Sequence, residues 1–279
     1  MTTGLFVDGR RASSLPLPDR GFAYGDGIFE TLLFRGREAA WLELHGQRLG
    51  AGLERLGIPE PPWRTHLVTS LEAADPAPDR WLAVRLTVTR GGGPRGYGPP
   101  AEPIPRTVIE LSPAPRDPLA AAAPLHTALA ALRWACQPAL AGLKHLNRLE
   151  QVLAARECRA RGLDELLVCD TGGAVIAATS ANLFALHGDV LTTPDLTACG
   201  IAGTRRRLLL ETLAPALGLT CRVQTLGPDA IETADGLFCC NSLRGIVAVG
   251  RYEQRQWRDD PMIERLQVAY REALCASVA

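Results

Sequence analysis

The sequence predicts a mixed α/β protein in two halves, and three features carry that expectation. Short runs rich in apolar and β-branched residues, bounded by turn residues, recur along the chain, as in Trp-Leu-Ala-Val-Arg-Leu-Thr-Val-Thr at 81–89. Between such runs lie segments whose apolar residues fall at roughly helical spacing, such as Leu42, Leu49, Leu53 and Leu56. A Pro- and Ala-rich stretch from Ser112 to Pro124 separates the halves and reads as an interdomain linker. Strands mixed with helices in both halves argue for α/β or α+β architecture and against a simple doubly wound sheet. The expected domains are 1–114 and 122–279, joined by a linker at 115–121.

In chain order, residues 4–8 and 28–34 read as strands, being short, apolar and bounded by turn residues. A helix is expected over 41–56, then strands at 81–89 and 106–111. The intervening Arg90-Gly-Gly-Gly-Pro-Arg-Gly-Tyr-Gly-Pro-Pro can only be a loop. The second half opens with a strand near 125–134, followed by a helix from about His145 to Arg161 that ends at Gly162. Residues 165–169 and 174–177 form an expected hairpin around Asp170-Thr-Gly-Gly. Further strands are expected at 181–186, 189–192, 220–224, 235–240 and 245–249, with helices at 204–217 and 260–274.

Composition narrows the function classes. Thirty basic residues balance thirty acidic ones among 279, so no global field favours nucleic acid or an anionic membrane. No stretch approaches the twenty or so apolar residues of a membrane span, and the amino terminus lacks the apolar run of a signal peptide. The eight cysteines are scattered, with no CxxC and no Cys/His cluster at metal spacing, so no metal site is expected. They read as reduced thiols of a cytoplasmic protein. The vicinal pair Cys239-Cys240 reads as strand packing.

Lys144 is where chemistry enters. It stands at a strand-to-helix junction in a chain that otherwise relies on arginine. A lysine can lose its proton and attack a carbonyl, which a guanidinium cannot. The run Lys144-His-Leu-Asn-Arg-Leu-Glu-Gln-Val-Leu153 resembles the Schiff-base segment of the 4-amino-4-deoxychorismate lyases. These belong to the fold-type-IV pyridoxal phosphate group, together with branched-chain and D-amino acid transaminases. The resemblance extends in order over nearly the whole chain. It implies pyridoxal 5'-phosphate bonded to Lys144, a cofactor site between two domains, and a homodimer.

Other segments are similar to the same group. Asp19-Arg-Gly-Phe-Ala-Tyr-Gly-Asp-Gly-Ile-Phe-Glu-Thr31 resembles its amino-terminal signature. Leu44-His-Gly-Gln-Arg-Leu49 resembles the segment whose arginine binds the cofactor phosphate, which implies Arg48, a residue type suited to bidentate phosphate bonds. The run Cys-Gly-Ile-Ala-Gly-Thr-Arg at 199–205 resembles the phosphate-binding turn. There Gly203 lets the backbone approach an anion, and the amides of Thr204 and Arg205 open a helix. In Cys240-Asn-Ser-Leu-Arg244, Ser242 matches the hydroxyl used on the phosphate, with Asn241 and Arg244 as neighbouring substrate candidates. Arg95-Gly-Tyr97, in the glycine loop, resembles the lyase segment that reaches a substrate carboxylate.

One position departs from the pattern. Within Gly173-Ala-Val-Ile-Ala-Ala-Thr-Ser-Ala-Asn-Leu-Phe184 this chain has Ala177 where relatives carry the glutamate that pairs with the cofactor's ring nitrogen. Thr179 or Ser180 could offer a neutral hydrogen bond instead. A lyase tolerates the loss better than a transaminase, because formation of an aromatic product drives its elimination. The resemblance therefore implies conversion of aminodeoxychorismate to 4-aminobenzoate and pyruvate, a step of folate biosynthesis. A D-amino acid or branched-chain aminotransferase is the alternative, and a degenerate cofactor-binding homologue the third reading.

Overall fold

The computed structural model describes residues 4–258 and 260–279, which form two compact units. The first takes the chain through Pro118, then Leu143–Asn147 and Leu274–Ala279; the second takes Leu119–Gly142 and Arg148–Ala273.

The first unit contains β1 (Gly4–Val7), β2 (Arg10–Arg11), α1 (Arg20–Tyr24), β3 (Gly27–Arg35), β4 (Glu38–Ala39), α2 (Leu42–Leu56), α3 (Trp63–Ala74), β5 (Trp81–Thr89) and β6 (Arg106–Pro113). Its six strands form an antiparallel sheet in the order β2-β1-β6-β5-β3-β4. On α2 the buried positions are His45, Gly46, Leu49, Gly52 and Leu53, one face of a 3.6-residue period. That face joins Trp63, Leu67 and Leu71 of α3 in a core with Phe6, Leu32, Phe34, Val84, Leu86 and Ile109 from the sheet. The helix α3 is unassigned from sequence, because its stripe of Trp63, Leu67 and Leu71 is a single residue wide per turn.

The second unit begins with β7 (Leu125–Leu129), α4 (Leu149–Ala160), β8 (Glu165–Cys169), β9 (Val175–Ala178), β10 (Asn182–His187) and β11 (Val190–Pro194). It continues with α5 (Thr204–Leu208), α6 (Ala214–Ala216), β12 (Thr220–Gln224), α7 (Pro228–Glu232), β13 (Gly236–Asn241), β14 (Gly245–Tyr252), β15 (Arg255–Gln256) and most of α8 (Pro261–Ser277). Its sheet runs β12-β11-β10-β13-β14-β7-β8-β9, with β15 on β14. The pairs β11–β12, β14–β7 and β7–β8 are parallel and the rest antiparallel, so the sheet is mixed. The stacked rings of Phe184 and Phe238, 5.1 Å apart, lie in its interior.

Three elements differ from expectation. The strand expected over 125–134 ends at Leu129. The helix expected over 204–217 passes through a π turn at Leu209–Leu213 between α5 and α6. Pro215 follows that turn, and with no N–H to donate and a ring that crowds the preceding carbonyls it favours a widened turn there. The helix expected from His145 begins only at Leu149, because residues 144–146 run along β3. Phe29 N donates to Lys144 O at 2.9 Å and Leu146 N to Gly27 O at 3.0 Å. The short β4 covers only Phe34 and Arg35 of β3, which leaves the edge at Gly27–Phe29 for this segment. Lys144 thus adds its backbone to the sheet of the first unit, whereas sequence alone assigns it to the second domain.

Candidate active site

Lys144 is the only lysine in the sequence. Its half-buried side chain carries Nζ to 4.3 Å from the centroid of the Phe29 ring. The approach of its segment to β3 requires a glycine at 27: a Cβ there would collide with the Val88 carbonyl and lie 2.9 Å from Leu146 Cδ1. The signature glycine therefore serves the placement of the lysine.

One residue along β3, Glu30 is buried beside His45 and Arg48 of α2. His45 Nδ1 lies 2.7 Å from Glu30 Oε2, and Arg48 reaches Glu30 Oε1 through Nε at 2.8 Å and Oε2 through Nη2 at 2.5 Å. Burial opposes charge on Glu30, yet Arg48 and the hydrogen bonds from His45 and Arg48 more than offset it and hold the carboxyl down at about 2. Arg48, expected to bind phosphate, is thus held side-on by a carboxylate, which fixes the plane of its guanidinium. Sequence reasoning left Glu30 and His45 without a role. The signal for them is a lone acid in an apolar strand and a His/Arg pair three apart on one helix face.

In the second unit the turn 199–203 leads into α5, with Gly203 at the cap. The turn is held by backbone bonds from Gly142 N to Gly200 O and from Ala202 N to Gly142 O, both 3.0 Å, and by Asn182 Nδ2, which donates to Ile201 O at 2.9 Å. A Cβ on residue 203 would overlap Asn182 Oδ1, so a larger residue would displace the amide that holds the turn. The hydroxyls of Thr204 and Ser242 lie 3.4 Å apart. Behind them Arg205, 1% exposed, donates from Nε to Tyr270 Oη at 3.2 Å. Two adjacent hydroxyls, a glycine cap and helix-start amides are the donor set that a phosphate group takes, so these residues fit a phosphorylated cofactor.

Among the described residues, β9 brings no carboxylate to the expected ring-nitrogen position. All four residues of β9 are apolar and buried, and Ala177 packs in a cluster with Trp134, Val168, Ile176, Leu196 and Cys199. Neither neutral substitute is available as a donor. Thr179 Oγ1 already donates to Leu166 O at 3.4 Å, and Ser180 Oγ donates to Glu165.

The remaining candidates have structural duties. Arg244 is ion-paired to buried Glu165 and hydrogen-bonded to Ser180 Oγ. Asn241 closes its own turn: Oδ1 accepts from Leu243 N at 3.1 Å and Arg244 N at 2.8 Å, and Nδ2 donates to Ser180 O at 3.2 Å. Arg95 and Tyr97 are exposed in the glycine loop, which is not a free connection. The guanidinium of Arg20 donates to the carbonyls of Gly96, Tyr97 and Gly98 at 3.1, 2.7 and 3.2 Å, and Asp26 bridges Arg20 and Arg90 at 2.8 Å each. Sequence reasoning gave Arg20 and Asp26 no part in this loop, from which Arg20 is 76–78 residues distant.

Residues 27–252 match the family model described as amino-transferase class IV, and the chain belongs to that family. It is 34% identical over 245 residues to the aminodeoxychorismate lyase of Vibrio harveyi, covering 88% of this chain and 89% of the relative. It is 29% identical over 262 residues to a bifunctional aminodeoxychorismate lyase / D-amino acid transaminase of Mycobacterium tuberculosis, 86% of each chain. Among solved structures, 4-amino-4-deoxychorismate lyase from Pseudomonas aeruginosa superposes with a TM-score of 0.87 at 39% identity, covering 96% of this chain and 98% of that one. A branched-chain aminotransferase from Thermoproteus uzoniensis, at 19% identity and a TM-score of 0.86, shares the fold. No helix among the described residues is long and apolar enough to cross a membrane.

Proposed function

We propose that this protein is a pyridoxal-phosphate-dependent lyase that converts 4-amino-4-deoxychorismate to 4-aminobenzoate and pyruvate. The observation that carries the reading is the chain's single lysine, in a segment fixed on the edge of β3 by backbone hydrogen bonds at Lys144 and Leu146. Pyridoxal phosphate supplies a carbonyl that condenses with amines and a ring that withdraws electrons from the bound substrate. Lys144 would hold the cofactor through Nζ, and its amine would take the proton from C4 of the substrate ring and return one later. Gly203, the amides of Thr204 and Arg205 and the Ser242 hydroxyl hold the phosphate in this reading, and Arg48, its guanidinium fixed by Glu30, is a further phosphate candidate. Arg95 and Tyr97 receive a substrate carboxylate on the loop that Arg20 braces, and Asn241 and Arg244 are further substrate candidates in this reading.

The apolar β9 favours elimination over transamination, because a ring without a carboxylate partner on that strand stores negative charge less well. In this reading the protein works in the cytoplasm as a homodimer. Exposed Leu149, Val152 and Leu153 on α4 give a second copy an apolar face to cover. Incubation with aminodeoxychorismate, with and without an added keto acid, tests the activity. Release of 4-aminobenzoate and pyruvate without keto acid is expected, and strict dependence on a keto-acid acceptor would overturn the assignment.

A further inference from the structure

From sequence, no metal site is expected, because no Cys/His cluster has ligand spacing. The fold nevertheless brings Cys136, Asp170 and Cys199 together, with one ligand atom from each lying within 4.8 Å of the others. We propose that these three side chains form a site for a thiophilic divalent cation of the zinc type, with its fourth position open.

Geometry carries the case. Cys136 Sγ lies 3.7 Å from Asp170 Oδ2. A tetrahedral zinc with sulfur at about 2.3 Å and oxygen at about 2.1 Å sets those two atoms about 3.6 Å apart, so this pair needs little movement. The second carboxylate oxygen is already oriented, since Asp170 Oδ1 accepts from Ala174 N at 2.9 Å. Thr171 Oγ1 donates to Cys136 Sγ at 3.5 Å.

The three segments are joined by backbone bonds that do not involve the ligand atoms. Trp134 pairs with Asp170 in a parallel bridge, with Trp134 N donating to Cys169 O at 2.9 Å and Thr171 N to Trp134 O at 3.1 Å. Gln137 N donates to Ala198 O at 2.9 Å, next to Cys199. The site is therefore built before any ion arrives. Cys136 is exposed and gives the ion an entry path, whereas Cys199 is buried.

Two thiolates with one carboxylate select a soft or borderline cation over magnesium or calcium. Binding forms two sulfur–metal bonds and releases the two thiol protons to solvent. Because Cys199 opens the turn 199–203, a bound ion staples that turn to the segment at Cys136.

The test is a cobalt(II) titration of the full-length, cofactor-loaded protein, read as a difference spectrum and followed by displacement with zinc. Expected are one equivalent of cobalt, a thiolate-to-cobalt charge-transfer band and the visible bands of tetrahedral cobalt, all removed by zinc. Cys136→Ser, at an exposed position, and Asp170→Asn should each weaken binding by more than the roughly 10–100-fold that loss of an outer partner costs. Cys221→Ser should leave the titration unchanged. Absence of the charge-transfer band in the unmodified protein, or an unaltered titration in Cys136→Ser, overturns the site.

Discussion

Lys144 is tied to Phe29 twice: its carbonyl accepts the Phe29 amide at 2.9 Å, and its Nζ lies 4.3 Å from the centroid of the Phe29 ring. The backbone bond sets where the residue stands and the ring lies under its amine. A strand edge, more rigid than a loop, thus positions the group proposed to hold the cofactor and move the substrate proton.

Lys144→Ala should abolish the visible absorption of the bound cofactor and reduce turnover by several orders of magnitude, since both nucleophile and base are lost. Lys144→Arg should not recover activity, because guanidinium keeps its proton. No other side-chain amine exists in the sequence. Borohydride fixation of cofactor to a side chain in Lys144→Ala protein would therefore contradict the site.

Glu30 links the fold to acid. Its carboxyl sits near 2 in the folded protein against an ordinary 4.5, so it binds protons more readily when unfolded. Its stabilising contribution is present above about 4.5 and is lost as pH falls from there toward 2. The full effect is on the order of 3 kcal/mol. Glu30→Gln should lower the denaturation midpoint at neutral pH and flatten the stability–pH curve across that acid window. Urea titrations at a series of pH values give both quantities, and an unchanged slope would show that the carboxylate is not the source.

Arg95→Ala and Tyr97→Phe should both raise the substrate KM while leaving cofactor affinity near that of the parent. Arg95 should show the larger loss, in the range of about 1.5–3 kcal/mol expected for a hydrogen bond to a charged group. Since Arg20 braces this loop through three carbonyls, Arg20→Ala should raise KM as well. Unchanged steady-state kinetics in Arg95→Ala and Tyr97→Phe would leave the loop a braced connection with no part in binding.

Ala177→Glu places a carboxylate where the family resemblance expects one. A carboxylate beside the ring nitrogen favours its protonated form, and a stronger electron sink lets the proton return at the cofactor carbon. Transamination of simple amino acids should rise, and lyase turnover should stay level or fall. Ala177 is 4% exposed among apolar neighbours, so the variant should melt lower without cofactor and recover part of the loss with it. A folded, cofactor-loaded variant with no gain in transamination would show that this position does not set the reaction type.

By itself the sequence determined the mixed strand-and-helix character, the strand at Trp81–Thr89, the buried face of α2 and the presence of a single side-chain amine, Lys144. These are local matters, because side-chain periodicity records which face of an element is buried, and residue type records which chemistry is possible. Only the tertiary structure decided that residues 144–146 lie along β3 rather than in a helix, since that depends on how much of the β3 edge β4 leaves open. It also decided that Arg20 braces a loop 76–78 residues away, that Arg48 is held by Glu30, and that Cys136, Asp170 and Cys199 meet. Each of these is a contact between segments distant in the chain. Its partners are chosen by strand register and turn geometry, which no local spacing encodes.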